Sequence, residues 1–472
     1  MDKDHLNEAL EQISDDHLTE AAAAKKHRRV LPWIAAIAAV LALVLVLRTL
    51  EAPMFIQAQA VTLASENRAM ARPDYDSYMD KGQWSRDLDA WMTEREQRSA
   101  FCAETLEVMQ PFLKDTCAEF LTGSENNLLF SPVNAYIGLA AAAELTAGST
   151  RQQLLTLLGT RSLDALRTQV SALWESVHRN DGQEISTLAT SLWLDSKLNV
   201  NQTALDALAY HHYCSVYSQD LSSPQASKDI GAWLSNNTGG FLKQYTDSYQ
   251  LPAGTILALY STIYFQSKWQ DEFHATNNSQ MTFHSPSGDR VCTFMNAKLR
   301  HMDYYWGDSF GAVSLWLKNG SRMWFILPDE GKTTDDVLLD GQYIQLVTAS
   351  DSWENSKYMK VNLSVPKFDL HAKAELANGL KKLGVTDLFD PAKANFSASL
   401  QEPAFLTAVN QAVRVEIDEK GVTAAAYLEL PGAGAAMPPE EIMDFVLDRP
   451  FVFVITGADQ IPLFAGTVNQ PA

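Results

Sequence analysis

Apolar and charged residues alternate over Val413-Arg414-Val415-Glu416-Ile417, which predicts a half-buried strand. A turn follows at Asp418-Glu419-Lys420-Gly421, and then Val422, Ala424, Ala426, Leu428 and Leu430 fall on one face of a second arm. From Pro431 to Pro439 the chain is small and loop-like, with no strand signal. Two readings fit this stretch: an ordinary hairpin with a long distal loop, or a long exposed loop that holds a latent strand.

Elsewhere the pattern changes period. A helical repeat spans Ala100 to Leu121 and stops at Gly123. The apolar run Asn127-Leu128-Leu129-Phe130 closes with Ser131-Pro132, ahead of a small-residue helix from Ala135 to Ala147 and a short one from Arg151 to Leu158. Thr187 to Asp195 reads as a strand, Ala204 to Tyr217 as a helix running into a strand, and Ala258 to Phe265 as another strand. Strands and helices mix without a βαβ rhythm, which points to an α+β architecture. Residues 1–29 are polar and end in Lys25-Lys26-His27-Arg28-Arg29, and Val30 to Leu47 is an eighteen-residue run without a charge. That pattern predicts a single transmembrane helix over 30–50, a cytoplasmic tail over 1–29 and an extracellular remainder at the cell membrane. A long charged leader without a clean small-residue cleavage site disfavours a signal peptide. Residues 51–99 read as a stalk, partly helical near Trp84 to Met92, and residues 100–472 as the main domain.

Composition narrows the partners. The 472 residues hold 37 basic and 57 acidic side chains, a net charge of −20, which argues against nucleic acid or a heparin-type polyanion. Cys102, Cys117, Cys214 and Cys292 show no metal-ligand spacing or disulfide framework, although a bridge between Cys102 and Cys117 remains open. His211, His212 and Cys214 read as a solvated or packed cluster, so neither metal nor cofactor is expected. Gly307-Asp308-Ser309-Phe310-Gly311 matches the G-x-S-x-G nucleophile elbow, but a strand and a hairpin turn follow it where a helix is required. An enzyme is therefore not expected.

The order Leu-Phe-Ser-Pro at 129–132, small-residue helix, Ala147-Gly148-Ser149-Thr150 and Leu158-Gly159 resembles the opening of the serpin family. The resemblance continues through Ile230, Trp233, Thr238 and Gly240, then Lys268-Trp269 and Phe273, Phe325-Ile326-Leu327-Pro328, Val365-Pro366-Lys367-Phe368 and Leu383 to Phe389. It ends on Phe445-Val446-Leu447-Asp448-Arg449-Pro450-Phe451-Val452-Phe453, similar to the family's C-terminal signature. With the anchor, this suggests a membrane-anchored, bacterial-type member.

The resemblance implies a serpin fold of three β-sheets and about eight to nine helices, monomeric, with an exposed reactive-centre loop over 419–443. It implies a suicide-substrate inhibitor of serine proteases whose freed loop arm inserts into the main sheet. The hinge would be Glu419, Lys420, Gly421, Val422, Thr423, Ala424, Ala425 and Ala426. Counting from Gly421 places the scissile bond at Ala435-Ala436, which suits the shallow primary pocket of elastase-like or subtilisin-like enzymes. The shutter would be Ser131, Pro132, Asn134, Ser261 and Asn410, the last three replacing the commoner Ser, Asn and His. Val422 stands where inhibitory members usually carry Thr or Ser, Tyr427 and Leu428 shorten the Ala-rich run, and Pro431 lacks a ladder donor. The alternative is a non-inhibitory serpin serving as a binding or structural module.

Overall fold

In the computed structural model, residues 61–64, 78–180, 185–240, 249–318, 320–422 and 441–471 are described. Helix α1 (Lys81–Leu121) begins well before the apolar repeat that marks it in sequence. Asp80 caps it, its carboxylate accepting from the Gly82 amide at 2.8 Å. The buried side chains Cys102, Leu106, Met109, Phe112, Leu113, Cys117 and Leu121 recur at helical spacing along its second half.

Helix α2 (Pro132–Leu145) is buried at every residue except Gly138. Its alanines at 140–143 leave room for strands on two sides, and it packs against β6 (Leu257–Lys268) and β17 (Pro462–Val468). Five further elements surround this centre or cap the sheets: α3 (Gly148–Leu157), α4 (Leu163–Val177), α5 (Gln202–His212), α6 (Pro224–Asn236) and α7 (Thr334–Asp340). The short helices α8 (Gln342–Thr348) and α9 (Ala377–Lys382) complete nine α-helices among the described residues.

One buried charge cluster ties the helices together. Glu144, 3% exposed on α2, accepts from Arg167 of α4 at 2.9 and 2.6 Å and lies 3.2 Å from Nε2 of His212 on α5. Burial by itself would raise the Glu144 carboxyl, but the bonds from His212 and Arg167 outweigh it and hold it at about 2. The folded-state value lies below the ordinary one, so the cluster stabilises the fold at neutral pH and loses that contribution as pH falls from 4.5 toward 2. Arg167→Met is expected to cost about 3 kcal/mol in denaturant unfolding at pH 7, because a buried carboxylate loses its bidentate partner. The gap to the unsubstituted protein should narrow at acid pH; a pH-independent gap would refute this account.

The first sheet runs β1 (Val61–Ala64), β5 (Cys214–Gln219), β4 (Ile185–Asp195), β6, β14 (Gly421–Val422), β13 (Asn410–Asp418) and β12 (Phe368–Glu375), with β3 (Arg179–Asn180) on β4. The second runs β15 (Ile442–Val446), β11 (Ser356–Pro366), β8 (Gly288–Trp306), β9 (Phe310–Trp316), β10 (Arg322–Pro328), β16 (Phe451–Thr456), β17 and β2 (Leu128–Phe130), with β7 (Ser279–Ser285) on β8. Strands β16 and β17 are buried at every position, matching sequences that are apolar but for Thr456 and Thr467. All four cysteines are free and buried.

Three expectations change. Among the described residues there are two hydrogen-bonded sheets where three were expected. The nineteen-residue β8 pairs in turn with β7, β11 and β9 and so fuses two of them. The segment read as a stalk supplies β1, whose Val61 and Thr62 pair with Ser218 and Tyr217 at the edge of β5. The single-pass topology, with its membrane partner, cytoplasmic N-terminus and extracellular display, is not supported and is withdrawn. Among the described residues no helix is long and apolar enough to cross a membrane, and 30–50 lie outside them. The expectation rested on an eighteen-residue uncharged run and the basic cluster in front of it, and that run is near the lower limit of what a bilayer core requires.

Candidate functional site

The turn read as the hinge is built by a side chain folding back on its own backbone. Asp418 Oδ1 accepts from the amides of Lys420 and Gly421 at 2.8 and 3.2 Å, an Asx turn that reverses β13 into β14. Trp269, fully buried, fastens the turn from the end of β6: its indole donates to the Asp418 carbonyl at 2.8 Å and its amide to the Lys420 carbonyl at 3.1 Å. Phe273 donates its amide to the Glu419 carbonyl at 2.9 Å. The Glu419 carboxylate lies 2.5 Å from Lys367 Nζ and accepts from Asn278 Nδ2 at 2.5 Å. Its partial burial raises the carboxyl, yet Lys367 and Asn278 prevail and lower it below the ordinary value.

Strand β14 is two residues long, and it lies between two strands of the sheet. Gly421 pairs with Lys268 of β6 and Asp418 of β13; Val422 pairs with Ser267 and Ile417. Gly421 is required here: at φ +149° any Cβ would meet the Lys268 Cα and the Ser267 carbonyl oxygen at 2.5 Å. Among the described residues no ladder joins β6 directly to β13. Thr423, Ala424, Ala425, Ala426, Tyr427, Leu428, Pro431, Ala435 and Ala436 lie outside the described residues.

Further along β6 and β13, a cavity of about 210 Å³ continues the line of β14. Asn134, Gly138 and Ala142 of α2, Ser261 of β6, and Asn410 and Gln411 of β13 contribute to its wall. Two polar latches flank it. Asn134 donates its amide to the Ser261 carbonyl at 3.1 Å and accepts from the Ser261 hydroxyl, tying β6 to α2. Ser131, just before the N1 residue Pro132, donates its backbone amide to Gln411 Oε1 at 2.8 Å, while Gln411 Nε2 returns a bond to the Ser131 carbonyl at 2.9 Å. The Ser131 hydroxyl donates to Leu463 of β17 at 2.6 Å. The structure thus brings Ser131, Pro132, Asn134 and Ser261 together, and places Asn410 on the cavity wall. Gln411 was not singled out in the sequence. Its signal was the apolar–polar alternation of β13, which makes a glutamine on the buried face of that strand anomalous.

The rival esterase geometry is absent. Gly307-Asp308-Ser309 forms the turn between β8 and β9, with the Gly307 amide donating to the Phe310 carbonyl at 2.9 Å. Strand follows strand, and Ser309 is buried rather than presented at an elbow.

The α+β body thus seats the two residues that follow the Asp418 turn between two strands of one sheet. The family described as Serpin (serine protease inhibitor) matches residues 111–471, and the chain belongs to that family. It is 27% identical over 362 residues to alpha-1-antiproteinase of Callosciurus caniceps, covering 73% of this chain and 83% of that protein. Among solved structures, the native thermophilic serpin Tengpin superposes with a TM-score of 0.69 at 21% identity, over 78% of this chain and 94% of that one. Thyroxine-binding globulin in complex with thyroxine gives 0.66 at 19%, over 79% and 100%. Mammalian and plant proteins are both among the curated relatives, so the expected bacterial-type subgroup is not supported and is dropped. Membership supports a protease-inhibitory fold and a role other than that of an enzyme.

Proposed function

We propose that this protein is a suicide-substrate inhibitor of serine endopeptidases with small primary specificity, elastase-like or subtilisin-like, attacked at Ala435-Ala436. The observation that carries the reading is β14, seated in register between β6 and β13 with a cavity in line beyond it. Continued along that register, position 428 would face Ser261 and Gln411, and position 430 would face Leu259. Leu428 and Leu430 are larger than the family's usual alanines, and the α2 wall at Gly138 and Ala142 offers room for them.

The enzyme's serine oxygen would attack the Ala435 carbonyl carbon, and the Ala436 amine would leave with a proton, giving an acyl ester on the enzyme. Insertion of the freed arm would then form new ladder bonds worth roughly 1 kcal/mol each and hold the complex before water can hydrolyse the ester. Alanine on both sides of the bond favours a shallow pocket; a trypsin-like enzyme would find no cation to bind.

Incubation with an elastase-type protease is expected to give a denaturant-resistant covalent band on a gel. Clean cleavage without such a band would sink the inhibitory reading and favour a binding module, a reading for which the likeness to a thyroxine-bound serpin and the cavity speak. Ala435→Arg is expected to shift preference toward trypsin-like proteases by roughly a hundredfold or more, as an unpaired buried charge in the elastase pocket and a new ion pair in the other both favour the switch. Unchanged preference would show that the bond lies elsewhere.

A further inference from the structure

The outward face of β8, β11 and β15 lies immediately beyond the loop, since β15 starts at Ile442, six residues after Ala436. Between the pairs Met359–Met302 and Val361–Leu299 the ladder shifts, so that Lys360 stands against two residues, Arg300 and His301. Leu299 and Met302 continue the inward side, which leaves both Arg300 and His301 exposed on the outer one. Lys360 is in turn paired with Ile442, which is 63% exposed. One row across three strands therefore reads cation, imidazole, cation, isoleucine. Tyr358, 50% exposed, stacks on His301 with ring centroids 5.6 Å apart.

Among the described residues the acidic groups around this row are Asp303, Asp444 and Glu441. Asp444 accepts from the Asn362 amide at 2.7 Å and Glu441 is paired with Lys357 at 2.6 Å, whereas Arg300 and Lys360 form no ion pair among the described residues. Two cations with no ion pair among the described residues, beside an exposed tyrosine and isoleucine, stand out on a chain of net charge −20. At physiological salt the field of distant carboxylates is screened within about 8 Å, so an approaching protein meets this local charge.

We propose that the row Arg300, His301, Lys360 and Ile442, with Tyr358, is a second contact surface for the attacking protease, and that it fits an enzyme carrying carboxylates on the rim of its cleft that receives the residues after the scissile bond. This rests on the reading of the loop as protease bait. Six extended residues reach at most about 20 Å. A standard interface of ~800 Å² per partner is roughly 28 Å across, so an enzyme centred on Ala435-Ala436 extends about 14 Å toward β15 and meets the row wherever the six linking residues fall short of full extension. The contact acts before acylation and sets how fast the loop is attacked rather than what happens afterwards.

The test measures the second-order rate of loop cleavage or complex formation for two subtilisin-class proteases, one of acidic and one of basic isoelectric point. The full chain is compared with Lys360→Glu and with Lys228→Glu, an equal charge change on exposed α6. With the acidic enzyme, Lys360→Glu is expected to slow attack by about tenfold and Lys228→Glu by less than about twofold, while the basic enzyme is not slowed by Lys360→Glu. Equal effects of the two variants, or none, would overturn the proposal. If the unsubstituted protein is cleaved without forming a covalent complex, the inhibitory reading fails, yet the cleavage rates still decide whether this surface guides the enzyme.

Discussion

If the protein acts by the proposed suicide-substrate route, Gly421→Val is expected to turn it into a plain substrate, raising the number of molecules consumed per protease inactivated by roughly tenfold or more. The branched side chain has nowhere to go: the first added carbon already lies 2.5 Å from backbone atoms of Ser267 and Lys268. Those atoms belong to β6 and cannot swing aside as a flexible side chain would. The hinge must leave its place between β6 and β13, and insertion then has to start from a strand end that is no longer seated. The loop itself is unchanged, so cleavage continues at its usual rate while the trapped fraction falls. Gel densitometry against active-site-titrated protease reads the ratio. A variant that inhibits as efficiently as the parent would show that the seating of Gly421 does not matter for insertion.

Glu419→Lys carries the second large effect, this time on stability. The substitution removes a 2.5 Å ion pair and sets an ammonium beside the Lys367 ammonium, with the Asn278 amide left facing a donor. The two side chains are 17% and 36% exposed, so water softens the repulsion and a loss of about 1–3 kcal/mol is expected, against several more for a dry site. Thermal unfolding should fall by several degrees. The pH dependence gives the sign. The Glu419 carboxyl is held below its ordinary value, so its contribution is present above the ordinary carboxylate pKa and disappears as pH falls through the depressed one. The gap between parent and Glu419→Lys should therefore narrow in acid without closing, since two ammonium groups still face each other, whereas Glu419→Gln, which can still accept from Asn278, should fall between them at pH 7 and meet the parent in acid. Equal stability of all three at neutral pH would remove the latch from the account.

Much of this architecture was legible in the sequence, for reasons that differ by element. Strand β16 opens on the apolar run Phe451-Val452-Phe453, and α2 announces itself by small residues after Ser131-Pro132. The hinge turn was visible because Asp418 and Gly421 are the residues an Asx turn and a close backbone approach demand. The N-terminal half of α1 was legible only near Trp84 to Met92, read as partly helical, since the rest of Lys81 to Ser99 is polar and lacks the apolar period by which helices are recognised. Strand β1 is four residues long, too short for alternation to register, and its partner lies more than 150 residues away at Val216 to Ser218. Within the latch, Asn134 and Ser261 could be read by resemblance. Gln411 could not, because its role depends on a bidentate bond to the backbone of Ser131, 280 residues distant. The fusion of two sheets through β8 escaped for a related reason: a long strand reads the same whether its ends belong to one sheet or two.

The four buried thiols give the molecule an internal clock. Burial pushes Cys117 and Cys214 up to about 12, so neither is available as the reactive thiolate while the native packing holds. Cys214 opens β5, which lies in the sheet that would have to part, whereas Cys117 sits in α1 against Tyr343 of α8. Alkylation of Cys214 ahead of Cys117 would time the loosening of that sheet, and simultaneous labelling of both would time global unfolding, with no reporter group introduced.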